Sequence, residues 1–192
     1  MRVAFAGAPD TGKTTLAKMV SSEFNLRGYK VTYIDEFARD YISRFGFAET
    51  AAEQYFIVRK QKEKEPPFLG VDEILFTDSP DFLSYIYCLD VADLESPKDR
   101  TILFEILSMV LPSRYNMVFL TKKFRETFDD GVRSRFIESI DAIDEAIESF
   151  LKLHRIPYII LDSKDLNVRK QQVIDNIEMK IGHKVPLHKD VK

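Results

Sequence analysis

Eight residues near the amino end, Gly7-Ala8-Pro9-Asp10-Thr11-Gly12-Lys13-Thr14, carry the G-x-x-x-x-G-K-[ST] spacing, whose chemistry is the gripping of a phosphate chain. Gly7 and Gly12 tolerate backbone angles closed to other residues. The N–H groups from Asp10 and Thr11 through Gly12, Lys13, Thr14 and Thr15 are therefore expected to converge on phosphate oxygens, at the positive end of the helix that follows. Lys13 then reaches the β- and γ-phosphates, and the Thr14 hydroxyl is placed to ligate magnesium. A glycine turn that merely caps a helix is the competing reading. Here, however, an apolar run, Val3 to Ala6, precedes the motif and a helical pattern from Thr15 to Phe24 follows it. Strand, loop and helix in that order are the context in which this pattern binds a nucleotide.

In an open parallel sheet the ligand lies beyond the carboxyl ends of the strands, so the residues after each apolar run carry the next candidates. The second run ends in Asp35-Glu36, with Arg39 within one helical turn. A carboxylate there accepts the proton of an acceptor hydroxyl or orients that oxygen, and the arginine binds an acceptor group or supports the carboxylate. Glu36 is the expected base and Asp35 its substitute; an ordinary acidic helix start, with Arg39 as the i,i+3 partner of Glu36, competes with this. The third run ends in Thr77-Asp78-Ser79-Pro80-Asp81. Asp78 stands where an acid holds magnesium directly or through water, and Ser79 is the cap of the next helix. Asp78 and Asp81 are also counted with Glu36 and Arg39 as acceptor contacts. After the fourth run, Lys122, Lys123, Arg125, Arg133 and Arg135 surround an Asp129-Asp130-Gly131 turn. A basic segment here closes over a triphosphate and offsets charge on the moving phosphoryl group. Arg133 is expected in that lid, at about residues 122–135, and Lys122, Lys123 and Arg125 as solvated loop charge.

These groups need a scaffold, and apolar runs alternating with helical periodicities provide one: a parallel sheet with helices on both faces. Strands are expected at Val3–Ala6, Val31–Ile34, Glu73–Thr77, Asn116–Leu120 and Tyr158–Leu161. Helices are expected at Lys13–Arg27, Glu36–Phe45, Thr50–Glu65, Phe82–Cys88, Lys98–Val110, Val132–His154 and Asp165–Lys180. The helix from Val132 has an apolar stripe that packs on the core, and its acids Asp141, Asp144, Glu145 and Glu148 read as a solvated face. Among the aromatics, Tyr41, Phe45, Phe47, Tyr55, Phe56, Phe82, Tyr85 and Tyr87 are mostly core, and periodicity does not select which would stack on a flat base.

At 192 residues the chain fits one α/β domain, here 1–181, followed by an aperiodic tail at 182–192 read as a frayed end or a surface strap. A net charge of −3 and a pI near 5.7 disfavour a dedicated nucleic-acid binder. Cys88 is the lone cysteine; it excludes an internal disulfide and reads as a small buried apolar group. There is no signal-peptide pattern or transmembrane run, and the first core strand begins almost at Met1, so a cytoplasmic protein is expected.

Taken together, GAPDTGKTTL, DEFARDYI, FTDSPDF, ETFDDGVRSRF and the terminal IPYIIL strand resemble the ribosylnicotinamide kinase branch of the P-loop kinases and its phage-encoded relatives, over roughly Arg2 to Glu178. The resemblance implies transfer of the γ-phosphate of ATP, with magnesium, to the 5′-hydroxyl of a nucleoside. By motif, Lys13 and Thr14 would serve phosphates and metal, Glu36 and Arg39 the acceptor, Asp78 the strand-end acid and Arg133 the lid. The family places a tryptophan before the D-D-G turn, where it helps sandwich the nicotinamide ring; this chain has Phe128 there and no tryptophan.

The expected fold is a P-loop NTPase three-layer α/β/α sandwich, with a five-stranded parallel sheet in the order 2-3-1-4-5. The expected activity is an ATP- and Mg2+-dependent kinase acting on a nucleoside or nucleotide-like small molecule. Two readings compete with it: a phage-type kinase acting on a mononucleotide or a modified base in DNA, and a P-loop ATPase or switch without a small acceptor.

Overall fold

Val3 and Phe5 project to one side of their strand and Ala4 and Ala6 to the other, and all four are completely buried. Burial on both faces is what a continuously apolar strand demands and what only a central strand of a covered sheet receives. The computed structural model describes residues 1–111, 115–123 and 140–182. Its strands are β1 (Arg2–Ala6), β2 (Lys30–Ile34), β3 (Glu73–Thr77), β4 (Met117–Thr121) and β5 (Ile159–Leu161). All neighbouring pairs are parallel, and the spatial order is β2-β3-β1-β4-β5, as the sequence predicts. The register sets Phe5 opposite Phe119 on β4 and Val3 opposite Phe76 on β3. Phe5 thereby stacks on Phe119 with ring centroids 5.6 Å apart.

The helices are α1 (Lys13–Leu26), α2 (Phe37–Phe45), α3 (Ala51–Lys64), α4 (Phe82–Val91), α5 (Pro97–Val110), α6 (Ile140–Leu153) and α7 (Leu166–Gly182). On one face, Leu16, Val20 and Phe24 of α1 and Val173, Ile174 and Ile177 of α7 bury Val3, Phe5, Phe76 and Phe119. On the other, Val58 of α3, Phe82 and Ile86 of α4, Ile106 of α5 and Ile147 and Leu151 of α6 cover Ala4, Ala6, Val118 and Leu120. The sheet is thus the middle of three layers. Cys88 belongs to the second cluster, fully buried, with its thiol pushed up to about 11 by that burial.

Local signals place the helix ends. Thr50 accepts a hydrogen bond from the Glu53 N–H at 3.3 Å while the Glu53 carboxylate accepts from the Thr50 N–H at 3.0 Å, a reciprocal cap that satisfies donors the helix leaves open. Ser96 caps α5 in the same sense, with Pro97 in the first turn where a missing N–H is harmless. Helix α4 continues to Val91, one turn beyond the expected end at Cys88, and this extension carries Asp90 and Val91 into the site. No helix among the described residues is long and apolar enough to cross a membrane.

Candidate active site

The strand order brings the ends of β1, β2 and β3 side by side, and one pocket opens above them. The phosphate loop forms its base through Asp10, Gly12, Lys13, Thr14 and Thr15. Glu36, Arg39 and Ile42, at the start of and along α2, form one wall. The opposite side is made by Gln54 and Ile57 of α3 and Leu83, Tyr87 and Asp90 of α4, with Phe47 and Ala48 at the bend between α2 and α3.

Backbone geometry shapes the loop. Gly7 has φ 144° and Gly12 has φ 84°, values that a side chain adopts only under strain. A Cβ on Gly7 would also lie 2.6 Å from Thr121 Oγ1 and closer still to the Thr121 carbonyl oxygen. Gly12 leads into α1 with no side-chain cap on the helix start. The open amides and the helix dipole there suit an anion. Inside the arch, the Thr11 hydroxyl donates to the Ala8 carbonyl at 3.0 Å and lies 2.8 Å from the Thr121 hydroxyl, which itself bonds the Ala6 carbonyl at 2.9 Å. The Lys13 ammonium folds back and donates to the same Ala8 carbonyl at 2.7 Å.

Asp78 is 2% exposed. Its Oδ2 accepts from the Tyr33 hydroxyl at 2.9 Å, whereas its buried Oδ1 has no hydrogen-bond partner among the described residues. A buried carboxylate oxygen without a donor is costly unless something else meets it. Burial, followed by the Asp78 charge, holds the Tyr33 hydroxyl well above its ordinary pKa, so Tyr33 stays a donor. The orphaned oxygen at a strand end and the Thr14 hydroxyl lining the pocket fit an oxygen-loving cation. Among the described residues no group of three or more acidic, histidine or cysteine side chains could hold a metal unaided.

The structure separates candidates that sequence leaves together. Glu36 lines the pocket and Asp35 does not. The Asp35 side chain is 64% exposed and pairs with Lys64 at 2.7 Å, and that hydrogen bond lowers its pKa. Asp81, expected near the acceptor, is turned inward: its carboxylate takes the Lys62 ammonium at 2.8 Å and the Tyr115 hydroxyl at 3.2 Å. Glu65 and Arg2 extend this cluster at 3.2 Å from Tyr115 and 2.9 Å from each other. Burial and the neighbouring Asp81 charge push the Glu65 carboxyl upward. Asp81 therefore serves a buried polar network below the pocket, a correction that follows from α4 starting at Phe82 and packing inward.

Two of the acids read as a solvated face on α6 are also corrected. Asp141 and Glu145 are exposed, but Asp144 is 8% exposed and its Oδ1 accepts the Ala8 N–H at 2.8 Å. Burial, its largest influence, raises its pKa against the pull of that N–H, Lys122 and Lys13. Glu148 takes Lys122 and Lys152 at 2.9 Å and the Tyr158 hydroxyl at 3.0 Å. Lys122 is thus a paired side chain at the tip of β4 rather than solvated charge. Arg125, Arg133, Arg135, Phe128 and the D-D-G turn lie outside the described residues, as do 183–192 of the expected tail.

Sequence reasoning passed over Gln54, Asp90, Asp144 and Arg169. A signal was present for two of them. Asp144 falls on the stripe that includes Ile147 and Leu151, and Arg169 on the stripe with Val173 and Ile177, all of them buried. A charged residue on an apolar stripe must find an internal partner. Arg169, fully buried, donates to the carbonyls of Ser163, of Lys122 at 2.7 Å and of Thr11 at 3.3 Å.

Among solved structures, the fold matches that of NadR in complex with NAD and AMP-PNP, with a TM-score of 0.72 and 17% identity over 100% of this chain and 51% of that one. A second NadR complex, with NR, gives a TM-score of 0.74 at 18% identity, covering 100% of this chain and 54% of the other. The chain therefore spans about half the length of NadR. Deoxyadenosine kinase from M. mycoides, with the products dCMP and dCDP, gives 0.62 at 16% identity over 94% of this chain and 100% of that enzyme. The fold is thus the P-loop NTPase α/β fold that the sequence motifs suggest, shared with NadR and with a deoxyadenosine kinase. No curated protein sequence matches the chain. Residues 2–169 match the model of the AAA domain family, and the chain belongs to that family of P-loop proteins.

Proposed function

We propose that the protein is an ATP- and magnesium-dependent kinase that transfers the γ-phosphate to a hydroxyl of a nucleoside or nucleotide-like small molecule. The observation that carries this reading is the continuity of one pocket from the phosphate loop, at Gly12 to Thr15, to the Glu36 carboxylate and Arg39. A transferable phosphate and an acceptor hydroxyl would share that space. The kinase neighbours, crystallised with AMP-PNP, NR and nucleotide products, support the same class of reaction.

In this reading the loop amides and Lys13 hold the triphosphate, and catalysis is mostly positioning and charge stabilisation. Lys13 would exchange the Ala8 carbonyl for phosphate oxygens. Thr14 and Asp78 would hold magnesium, whose charge would offset the negative charge that develops on transfer. Glu36 orients the acceptor hydroxyl and takes its proton, while Arg39 holds a neighbouring acceptor group. On the sequence alone, the segment around 122–135 would serve as the lid of a single kinase domain, and Arg133 would offset charge on the transferring phosphoryl group. The assignment places the enzyme in the cytoplasm, where ATP is supplied.

Beyond Glu36 the pocket is lined by Ile42, Phe47, Ile57, Leu83 and Tyr87, with the amide of Gln54 and the carboxylate of Asp90 as polar points. That lining suits a flat ring bearing hydrogen-bonding groups and, among the described residues, gives a phosphodiester chain only Arg39 as a cation on this side. It favours a nucleoside over DNA. The test is incubation with magnesium and labelled ATP against nucleosides, mononucleotides, nicotinamide riboside and DNA. Label in a small acceptor is the expected result; salt-dependent labelling of DNA would establish the phage-type reading, and ATP hydrolysis with no acceptor labelled would establish the switch.

A further inference from the structure

Ala8 is the hub of the phosphate loop. Its carbonyl takes both the Thr11 hydroxyl and the Lys13 ammonium, and its N–H is taken by Asp144 from α6. The peptide in question joins Ala8 to Gly7, whose φ of 144° lies in a region where glycine has many alternatives and little intrinsic preference. Something outside the loop must select the orientation. Asp144 does so from a site that is 8% exposed, through a charge-assisted hydrogen bond of 2.8 Å.

We propose that Asp144 is a positioning residue for nucleotide binding: by accepting the Ala8 N–H it fixes the Gly7–Ala8 peptide that opens the loop, the base on which the following peptide, whose Ala8 carbonyl holds Thr11 and is occupied by Lys13 until phosphate oxygens replace it, is set. The inference rests on the nucleotide-binding half of the function proposed above. A carboxylate beside a phosphate site opposes the ligand's charge, so its presence is explained by the bond it makes and not by its charge. Lys122 and Lys13 offset that charge electrostatically.

The distinction is testable, because asparagine keeps the acceptor oxygen and discards the charge. Binding of ADP, titrated calorimetrically without any acceptor, is expected to weaken about tenfold in Asp144→Ala, the loss typical of one structured hydrogen bond to a charged group. Asp144→Asn is expected to bind within about threefold of the unaltered protein, or tighter. Glu145→Ala, an exposed neighbour on the same helix, should leave binding unchanged. Melting temperatures without nucleotide separate loop positioning from general loss of structure. Should Asp144→Ala not fold, the nearly isosteric Asp144→Asn decides. Equal ADP affinity in Asp144→Ala and the unaltered protein would overturn the proposal, as would a tenfold loss in Asp144→Asn. An unaltered protein that binds no ADP would remove the nucleotide-binding reading itself, whereas ADP binding without labelling of any acceptor would spare this inference and remove only the kinase.

Discussion

The phosphate side of the pocket is held by buried charge and hydroxyl groups, while the acceptor side leans on α2, a helix with no fully buried residue. Around the loop, Asp144, Arg169, Thr11 and Thr121 are all buried and joined to backbone groups. Helix α2 is held to α3 by lighter means: the Tyr41 hydroxyl on Glu53 at 3.0 Å, the Phe37 N–H on the Gln61 amide oxygen at 2.8 Å, and ring contacts of Phe37 and Tyr41 with Phe56 at 6.0 Å. A triphosphate presents the same oxygens in every reaction of this kind, so its cradle gains from rigidity. An acceptor varies, and a wall of surface helix is where shape changes at little cost to stability.

Lys13→Ala attacks the rigid side and is expected to have the largest effect. Transfer should fall by ~10²–10³-fold or more for every acceptor, since in the proposed function the lysine serves the phosphate and not the partner. Label-transfer rates across the panel measure it, and a loss confined to one acceptor would break the division. Glu36→Gln tests the other side. Its kcat should drop by about 10²-fold with ADP affinity unchanged, whereas Asp35→Asn should stay within about threefold. An inverted result would move the base to Asp35.

Two glycines extend the comparison to stability. Gly7→Ala meets both a disfavoured φ and the atoms of Thr121, and should lose about 3–4 kcal/mol in denaturant unfolding. Gly46→Ala, after α2, has φ 84° but nothing within 4 Å of a new Cβ, and should lose only about 1–2 kcal/mol. Equal losses would show that the phosphate side is less tightly built than its contacts suggest. The smallest effect concerns acid. Hydrogen bonds from Lys122 and then Lys152 hold the Glu148 carboxyl at about 2, below its ordinary 4.5. A depressed carboxyl contributes stability that is complete above the unfolded value and is lost as pH falls from 4.5 toward 2. Glu148→Gln should therefore flatten the loss of melting temperature over that window and change little near neutrality.

The sheet was legible because each strand is short, apolar and bounded by turn residues, and because the phosphate motif dictates strand, loop, helix. That Glu36 lines a pocket and Asp78 follows the end of β3 was legible for a positional reason: the ends of the strands open on the cleft. Asp81 was misplaced because proximity in sequence to a strand end says nothing about which way a helix start turns. Asp144 and Arg169 were missed although each interrupts an apolar stripe. The loop carbonyl and N–H they meet, on Thr11 and Ala8, are more than a hundred residues away, and periodicity tells that such a residue is buried without telling what it meets.

The hydroxyl contact between Thr11 and Thr121 joins positions 110 residues apart in the chain. During synthesis the motif emerges more than a hundred residues ahead of the strand that completes its cradle. A fragment ending short of residue 121 would carry every letter of the nucleotide signature and still lack one side of the mould. Under the proposed function, competence to grip ATP would trail the appearance of its signature by the stretch of chain that separates the two threonines.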